Sequence, residues 1–291
     1  MLLSERLDYM TFSPSEQVIV DYLKSHQLSL ESKTTGQIAK ETYSSKSTIV
    51  KVAQRMGYAG WRDFKKAYLA ELHYLANQTA SVDANYPFGP TDHYLTIAKR
   101  LATIEQEAIR ETADLLDYET LQAAVGRLSQ AKAIHVFALS NNLLLSQEFR
   151  YNMERIKQQV YVHAIYGEGM YAATLMEPDE CALVISYSGE TTSLLSIVDM
   201  LKLRQIPIVL ITSIGDNSMV QLADVALRIT TRERLYSKIA TFVNDSAITY
   251  VLDVLYACLF SQDYEKNLAL REGTSRIFEI TRRGLGQGLK E

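Results

Sequence analysis

Three hydroxyl side chains fall within six residues of the run ALVISYSGETTSLL, which spans residues 182–195. Its apolar start predicts a buried strand, and an amphipathic helix is predicted to follow the polar residues. Ser186, Ser188 and Thr191 therefore stand at a strand-to-helix turn, where free N–H groups and the helix dipole attract an anion. Gly189 allows the backbone to approach a ligand closely. The spacing predicts a phosphate-binding loop without the lysine of nucleotide-binding P-loops.

A purely structural role for this loop is also open. Ser188 could cap the following helix with help from Thr191, because both residue types favour helix N-termini. Three hydroxyl groups directly after a strand favour ligand binding over capping alone. Tyr187 and Glu190 complete the candidate loop.

A second candidate site lies between residues 35 and 66, where two short predicted helices flank a turn. The second helix opens with SKST, residues 45–48, whose small polar and basic side chains can reach phosphates and base edges in the major groove of DNA. The spacing of the two helices is that of a helix-turn-helix. An ordinary helical bundle with a capped helix is the alternative. The predicted DNA contacts are Ser45, Lys46, Ser47, Thr48, Lys51, Arg55 and Lys65, and the predicted buried face is Ile49, Val52, Ala53 and Met56.

Two kinds of architecture are predicted around these sites. Up to about residue 77 the sequence predicts helices with almost no strand signal, and a linker rich in turn residues follows at 77–92. Beyond it, five short apolar runs alternate with helical patterns, which is typical of a parallel sheet with helices on both faces. The predicted strands are 133–139, 160–163, 182–187, 208–212 and 225–229. The first predicted helix begins at Ser13, and the others span residues 35–41, 45–56, 61–77, 92–116, 118–129, 142–157, 168–176, 190–204, 217–222 and 238–260.

The predicted fold class is α/β, with an all-α helix-turn-helix domain followed by a parallel, five-stranded α/β domain. The predicted boundaries are 1–78 for the first domain, which we call the head, 79–92 for the linker, and 93–291 for the second domain, which we call the body. Residues 1–80 hold ten Lys/Arg and eight Asp/Glu, although the whole chain has a net charge of −4. A weakly basic head on an acidic body permits nucleic-acid binding without establishing it.

Composition excludes several protein classes. With 291 residues, 47% of them hydrophobic and 22% charged, the chain is neither disordered nor a disulfide-stapled miniprotein. No run approaches 18 consecutive apolar residues, so we expect no membrane span, and the N-terminus lacks a signal-peptide core. Cys181 and Cys258 lie in apolar runs, which indicates buried reduced thiols and a cytoplasmic protein. The five histidines show no metal-binding spacing, so neither a metal nor a cofactor is predicted. His135 is expected in the core, and His163 could face a ligand.

The run STIVKVAQRMGYAGWRDFKK, residues 47–66, resembles the helix-turn-helix of RpiR-type regulators. That family shows Ser-x-x-Thr, two hydrophobic residues and an arginine, then Leu-Gly-Phe-x-Gly-Phe-x-x-Phe-Lys. The matching residues are Ser45, Thr48, Ile49, Val50, Lys51, Met56, Gly57, Tyr58, Gly60, Trp61, Phe64 and Lys65. Lys51 replaces the usual arginine, a change that a phosphate contact would survive better than a bidentate guanine contact.

The phosphate loop is similar to the Ser-x-Ser-Gly-x-Thr loop of sugar isomerase (SIS) domains, over roughly residues 120–260. The resemblance implies a flavodoxin-like fold and a phosphosugar ligand. In a second ligand loop the family commonly has Gly-x-Gly-x-Ser, where this chain has Ala138, Leu139, Ser140, Asn141 and Asn142. Both glycines are missing; the asparagine amides could bond a sugar hydroxyl or simply cap the next helix.

Residues 233–239 resemble the family segment that places a glutamate near the sugar. The resemblance therefore implies ligand contacts for Glu233 and Lys238, which could instead be solvated surface charges. Asn244 and Asp245 stand where many members have Ser-Arg.

Three functions are compatible with the sequence. The leading hypothesis is a transcriptional regulator of sugar metabolism that binds double-stranded operator DNA, senses a sugar-phosphate effector and forms a homo-oligomer, a dimer or a dimer of dimers. The main alternative is an aldose–ketose isomerase acting on sugar phosphates, with Glu233 as its base and a helical accessory domain. The third is a helical scaffold whose SIS domain binds no ligand.

Overall fold

A computed structural model describes residues 2–77, 82–164 and 167–280. The chain forms two compact units that do not follow chain order. The first unit comprises Met1–Glu107, Ile214–Asn217 and Thr231–Val243, and the second comprises Ala108–Ser213, Ser218–Thr230 and Asn244–Glu291. The boundaries at residues 78, 92 and 93 stay predictions, and residues 78–81 of the predicted linker lie outside the described residues.

The head is helical, as predicted. Its elements are α1 (Leu3–Tyr9), α2 (Pro14–His26), a 3₁₀ helix (Gln27–Ser32), α3 (Thr35–Glu41), α4 (Lys46–Arg55) and α5 (Trp61–Asn77). The helices predicted from residues 13, 35, 45 and 61 are thus confirmed. The sequence does not predict α1 or the 3₁₀ helix, because seven and six residues are too few to show a helical period.

Local signals fix the ends of the head helices. At the start of α2, the Glu16 carboxylate accepts the Ser13 N–H at 2.9 Å and the Ser13 hydroxyl at 2.8 Å. After α4, Gly57 has a φ of 89°, a conformation that glycine adopts without strain and that terminates the helix. The apolar faces of α1 to α5 then meet in one core, in which Ile19, Ile49 and Phe64 are fully buried.

The body contains a five-stranded sheet in the order β2-β1-β3-β4-β5, and every pair of neighbours is parallel. This confirms the predicted α/β fold class. The strands are β1 (Ala133–Phe137), β2 (Gln159–Val162), β3 (Cys181–Ile185), β4 (Ile208–Ser213) and β5 (Val225–Ile229). The helices are α6 (Tyr94–Leu115), α7 (Tyr118–Gln130), α8 (Asn141–Glu154), α9 (Glu168–Leu175), α10 (Thr192–Leu203), α11 (Ser218–Leu222), α12 (Phe242–Ser261) and α13 (Tyr264–Ile280).

The two faces of the sheet carry separate cores. Alternate residues of β3 point to opposite faces: Leu183 belongs to the core built with α7, α8 and α12, and Ala182 and Val184 to the core built with α9, α10 and α11. All five residues of β3 are buried, which explains why its sequence is a continuous apolar run rather than an alternating one.

Several features of the body differ from the prediction. Helix α10 begins at Thr192 rather than residue 190, and α12 begins at Phe242 rather than residue 238, because polar loops precede both helices. Helix α13 is not predicted by the sequence. Cys181 is buried with the pKa of its thiol raised by burial to about 12, whereas Cys258 is only half-buried; neither forms a disulfide.

Helix α12 is long and apolar enough to cross a membrane by length and composition, which the count of consecutive apolar residues does not reveal. Its apolar side chains serve another purpose. Ala247, Val251 and Leu255 are fully buried in the core against the sheet. The apolar composition of α12 is therefore that of a core helix of the body.

Candidate functional site

The candidate DNA-binding surface is the N-terminal half of α4. Ser45 caps this helix by accepting the Thr48 N–H at 3.1 Å, and its hydroxyl lies 2.6 Å from that of Ser47. Ser45, Lys46, Ser47 and Lys51 are exposed and Thr48 is half-buried. Helix α4 contains no acidic residue, so its positive N-terminal end is not neutralised locally. This end can approach a phosphate backbone.

The opposite face of α4 anchors it in the head. Ile49, Val52, Ala53 and Met56 are fully buried, so the predicted buried face is confirmed. The exposed cations thus stand on a helix whose orientation is fixed by packing, as recognition of a DNA groove requires.

Two of the predicted DNA contacts have other partners. The Arg55 guanidinium donates to Glu16 Oε2 at 2.8 Å and to the Thr11 carbonyl at 2.6 Å. The Lys65 ammonium donates to the carbonyls of Glu31 and Lys33 at 3.1 and 2.7 Å. Both cations therefore join elements of the head to one another. Their roles in DNA binding stay predictions, and these contacts argue against them.

Sequence reasoning missed Tyr43. This residue lies in the turn between α3 and α4 with a φ of 50°, and its side chain is 99% exposed. A tyrosine that is held out into solvent beside the α4 N-terminus can contact DNA backbone or bases. Its position in a two-helix turn is the only sequence signal that could have identified it.

The predicted phosphate loop connects β3 to α10. Gly189 has a φ of 64°, which glycine adopts without strain. The buried Ser186 hydroxyl accepts the Gly189 N–H at 3.2 Å. The Ser188 hydroxyl accepts the Glu190 N–H at 3.2 Å and lies 3.5 Å from the Thr191 hydroxyl. These contacts bring the predicted hydroxyl groups together in one tight turn.

The N-terminus of α10 is open to a ligand. Thr191 occupies the cap position, but its hydroxyl accepts no hydrogen bond from the helix. Ser188 lies three residues before the cap, so the alternative in which Ser188 caps α10 is wrong. The uncapped N–H groups of the first turn are the groups that bind anions in other proteins.

Two further loop residues are engaged with the body. The Glu190 carboxylate accepts the Ser218 N–H at 2.9 Å and the Ser218 hydroxyl at 2.8 Å, at the start of α11. The Tyr187 carbonyl accepts the Ser213 N–H at 3.2 Å, and the half-buried ring packs against the core. Both residues brace the loop, and ligand contacts by either one stay predictions.

The loop after β1 is strained at Ser140. This residue has a φ of 52° and a ψ of −130°, a region that glycine dominates, and it stands where the family commonly has its second glycine. The Ser140 hydroxyl forms no cap for α8.

The two asparagines that follow have different surroundings. The Asn141 amide donates to Asp245 Oδ2 at 2.7 Å. Asn142, which is half-buried, makes no side-chain hydrogen bond within the described residues and is therefore able to meet a ligand.

Glu233 and Lys238 form a buried ion pair in the first unit. The Lys238 ammonium donates to Glu233 Oε2 at 2.9 Å, and their side chains are 11% and 0% exposed, respectively. The Val243 N–H donates to the other Glu233 oxygen at 2.6 Å. The alternative in which these residues are solvated surface charges is therefore wrong. Their predicted contact with sugar stays a prediction.

His135 and His163 form a pair between neighbouring strands. His135 Nδ1 and His163 Nε2 are 2.9 Å apart, and the rings are stacked. Burial lowers the pKa of both imidazoles, and that of His163 falls to about 4 because the neighbouring His135 adds to the effect. Burial therefore disfavours the charged form of both rings. Among the residues with described positions, no group of three or more His, Cys, Asp or Glu is arranged to hold a metal ion.

Comparison with known proteins agrees with this arrangement. A helix-turn-helix domain of the rpiR family matches residues 1–74, and a SIS domain matches residues 127–256. The uncharacterized HTH-type transcriptional regulator YbbH of Bacillus subtilis (strain 168) is 24% identical over 272 residues, which cover 92% of this chain and 93% of that protein.

Solved structures share the fold. The Vibrio vulnificus NanR protein, solved with ManNAc-6P, has a TM-score of 0.64 at 21% identity and covers 97% of this chain and 100% of its own. The sugar isomerase domain of an RpiR transcription factor from Sphaerobacter thermophilus has a TM-score of 0.55 at 16% identity and covers 62% of this chain and 98% of its own. The chain therefore combines a helix-turn-helix domain of the rpiR family, over residues 1–74, with a SIS domain, over residues 127–256.

Proposed function

We propose that the protein regulates transcription of genes for sugar metabolism by binding operator DNA through α4 and a sugar phosphate through the loop at residues 186–191. The open N-terminus of α10 is the single observation that carries the effector assignment, because it offers N–H groups and hydroxyls directly beside a glycine that permits close approach. The ManNAc-6P bound by NanR supports a phosphorylated sugar as the ligand class.

We propose a binding role rather than isomerase activity for the body. Enolisation needs a carboxylate that is able to take a proton from the substrate. Both oxygens of Glu233 already accept hydrogen bonds, one from Lys238 and one from the Val243 backbone. This arrangement favours a regulator that leaves its effector unchanged.

Assembly and location complete the proposal. A single small head offers few base contacts, and a two-fold operator calls for two heads, so we propose a dimer or a dimer of dimers in the cytoplasm. Light scattering at working concentration should give at least twice the 32.9 kDa of one chain. A species of one-chain mass would contradict this part of the proposal.

The effector site is tested by Ser188→Ala, with Ser129→Ala as the matched control. Ser129 is half-buried on α7 and donates to the Gly126 carbonyl at 3.2 Å, at the other end of the strands. Loss of one hydrogen bond to a charged oxygen should weaken sugar-phosphate binding by about 1.5–3 kcal/mol. A thermal-shift screen of sugar phosphates first identifies the effector, because a bound ligand raises the melting temperature.

Operator DNA is then titrated with and without that effector. Ser188→Ala should bind DNA normally alone and should fail to respond to effector at a concentration that suffices for the parent protein, since coupling between sites is reciprocal. Ser129→Ala should respond like the parent. An unchanged response in Ser188→Ala would show that the effector is sensed elsewhere, and isomerisation of the effector would overturn the regulator-only assignment.

A further inference from the structure

The second unit contains a cavity of about 510 Å³ whose apolar lining the proposed phosphate contacts do not explain. It lies at the carboxyl ends of β1 and β2 and is walled by α9 and α10. Its lining is largely apolar, with Phe137, Met170 and Ile197 among its members. The polar side chains of the described lining are those of His163 and of Ser140, Ser193 and Ser196.

The cavity includes residues of the loop after β1 and of the helix turn that follows the phosphate loop. Ser140, in the loop after β1, lines it. Ser193 and Leu194 also line it, and they belong to the first turn of α10, directly after the phosphate loop. A sugar whose phosphate rests at that helix end would therefore have one of its ring substituents at the mouth of the cavity.

The apolar wall formed by Phe137 and Ile197 selects against hydroxyl groups. A sugar hydroxyl placed against Phe137 and Ile197 would lose its water without gaining a partner, which costs free energy. A methyl group in the same place would gain from burial. The occupant that fits is a substituent with an apolar end and a small polar group near His163.

The histidine pair indicates whether that polar group donates or accepts a hydrogen bond. Glu180 Oε1 lies 3.5 Å from His135 Nε2 without the alignment of a hydrogen bond, and a carboxylate beside a ring nitrogen favours the tautomer that carries its proton on that nitrogen. In that tautomer, His135 Nδ1 accepts from Nε2 of His163 across the 2.9 Å contact. The remaining nitrogen, His163 Nδ1, is thereby left as an acceptor without a hydrogen-bond partner among the described residues, and it calls for a hydrogen-bond donor. An amide N–H that carries an acyl group combines such a donor with an apolar methyl end.

We propose that this cavity binds the acylamino substituent of a phosphorylated amino sugar, with the acyl methyl group against the apolar wall and the amide N–H donated to His163 Nδ1. The proposal rests on the proposed function, because it assumes a sugar phosphate at the loop of residues 186–191. It narrows the effector from sugar phosphates in general to N-acylated amino sugar phosphates, and it makes His163 a specificity-determining residue.

Matched ligand pairs test this specificity by calorimetry. N-acetylglucosamine 6-phosphate is compared with glucose 6-phosphate, and N-acetylmannosamine 6-phosphate with mannose 6-phosphate, with inorganic phosphate as a common reference. The acylated member of at least one pair should bind roughly tenfold more tightly, from burial of the methyl group and one added hydrogen bond. Equal affinities within both pairs would overturn the inference and leave the proposed function standing.

Two variants assign the preference to the cavity. His163→Phe keeps a ring that can stack but removes the acceptor, and Ser196→Leu fills the cavity from an exposed position on α10 without disturbing the core. In each variant, the acylated sugar phosphate and its unacylated partner should bind with nearly equal affinity, whereas Ser129→Ala should retain the preference for the acylated one. A ratio that persists in both folded variants would overturn the placement. If neither the sugar phosphates nor inorganic phosphate binds the parent protein, the proposed function itself fails.

Discussion

Replacement of Ser140 by glycine should stabilise the body. The serine holds a φ of 52° and a ψ of −130°, the conformation of the first central residue of a type II′ turn, in which a side chain is strained. Such strain costs about 1–3 kcal/mol. Glycine also has more conformational freedom than serine in the unfolded chain, and this freedom offsets about 0.5–1 kcal/mol of the stability gained by releasing the strain. Because the hydroxyl forms no helix cap, its loss subtracts little. The expected net gain is roughly 0.5–2 kcal/mol.

Urea denaturation followed by far-UV circular dichroism measures this gain. The control is Ser140→Ala, which removes the same hydroxyl but keeps a Cβ in the strained conformation, and its stability should stay close to that of the parent protein. The glycine variant should have a higher midpoint than both at an unchanged denaturant slope. A glycine variant no more stable than the alanine variant would show that the backbone at this loop is not strained and would remove the physical reason for a glycine there.

Three further outcomes are expected. Lys46→Ala and Lys51→Ala should each weaken DNA binding in filter assays and lower the salt slope by about one, whereas unchanged slopes would contradict the placement of α4 on DNA. Arg55→Ala should instead lower the melting temperature, because its guanidinium joins α4 to Glu16; a variant as stable as the parent protein would contradict this. Hydrogen bonds from Ser13 hold the pKa of Glu16 below its ordinary 4.5. The parent protein should therefore be more stable than Glu16→Gln above pH 4.5, and this difference in stability should vanish as the pH falls further. A difference that does not change between about pH 3 and 6 would refute the assignment.

Much of the fold follows from local signals in the sequence. The ends of α2 and α4 are predicted because Ser13, Ser45 and Gly57 act within one turn of the chain. The five strands are predicted because the parallel sheet is buried on both faces, which requires continuous apolar runs. Helix α13 is not predictable in this way, since its sequence includes Gly273 and Thr274 and shows only a weak apolar face.

The environments of charged residues depend on distant parts of the chain and escape such reasoning. Arg55 resembles a DNA contact because it lies on α4, yet its acidic partner, Glu16, is 39 residues away in sequence. Glu233 and Lys238 are only five residues apart, but nothing in that spacing indicates that both side chains are buried. The sequence identifies residues able to carry a function, and tertiary contacts determine which of them remain available for it.

The buried pair of Glu233 and Lys238 bears on our proposal that the body binds a ligand without converting it. A carboxylate that accepts from both an ammonium and a backbone N–H is stabilised in its ionised form, and taking up a substrate proton would require it to give up one of these bonds. The same contacts join Glu233, in the segment between β5 and α12, to Lys238 of that segment and to Val243 of α12. Such an arrangement suits a regulator, in which the free energy of effector binding must shift the affinity for DNA rather than lower a reaction barrier.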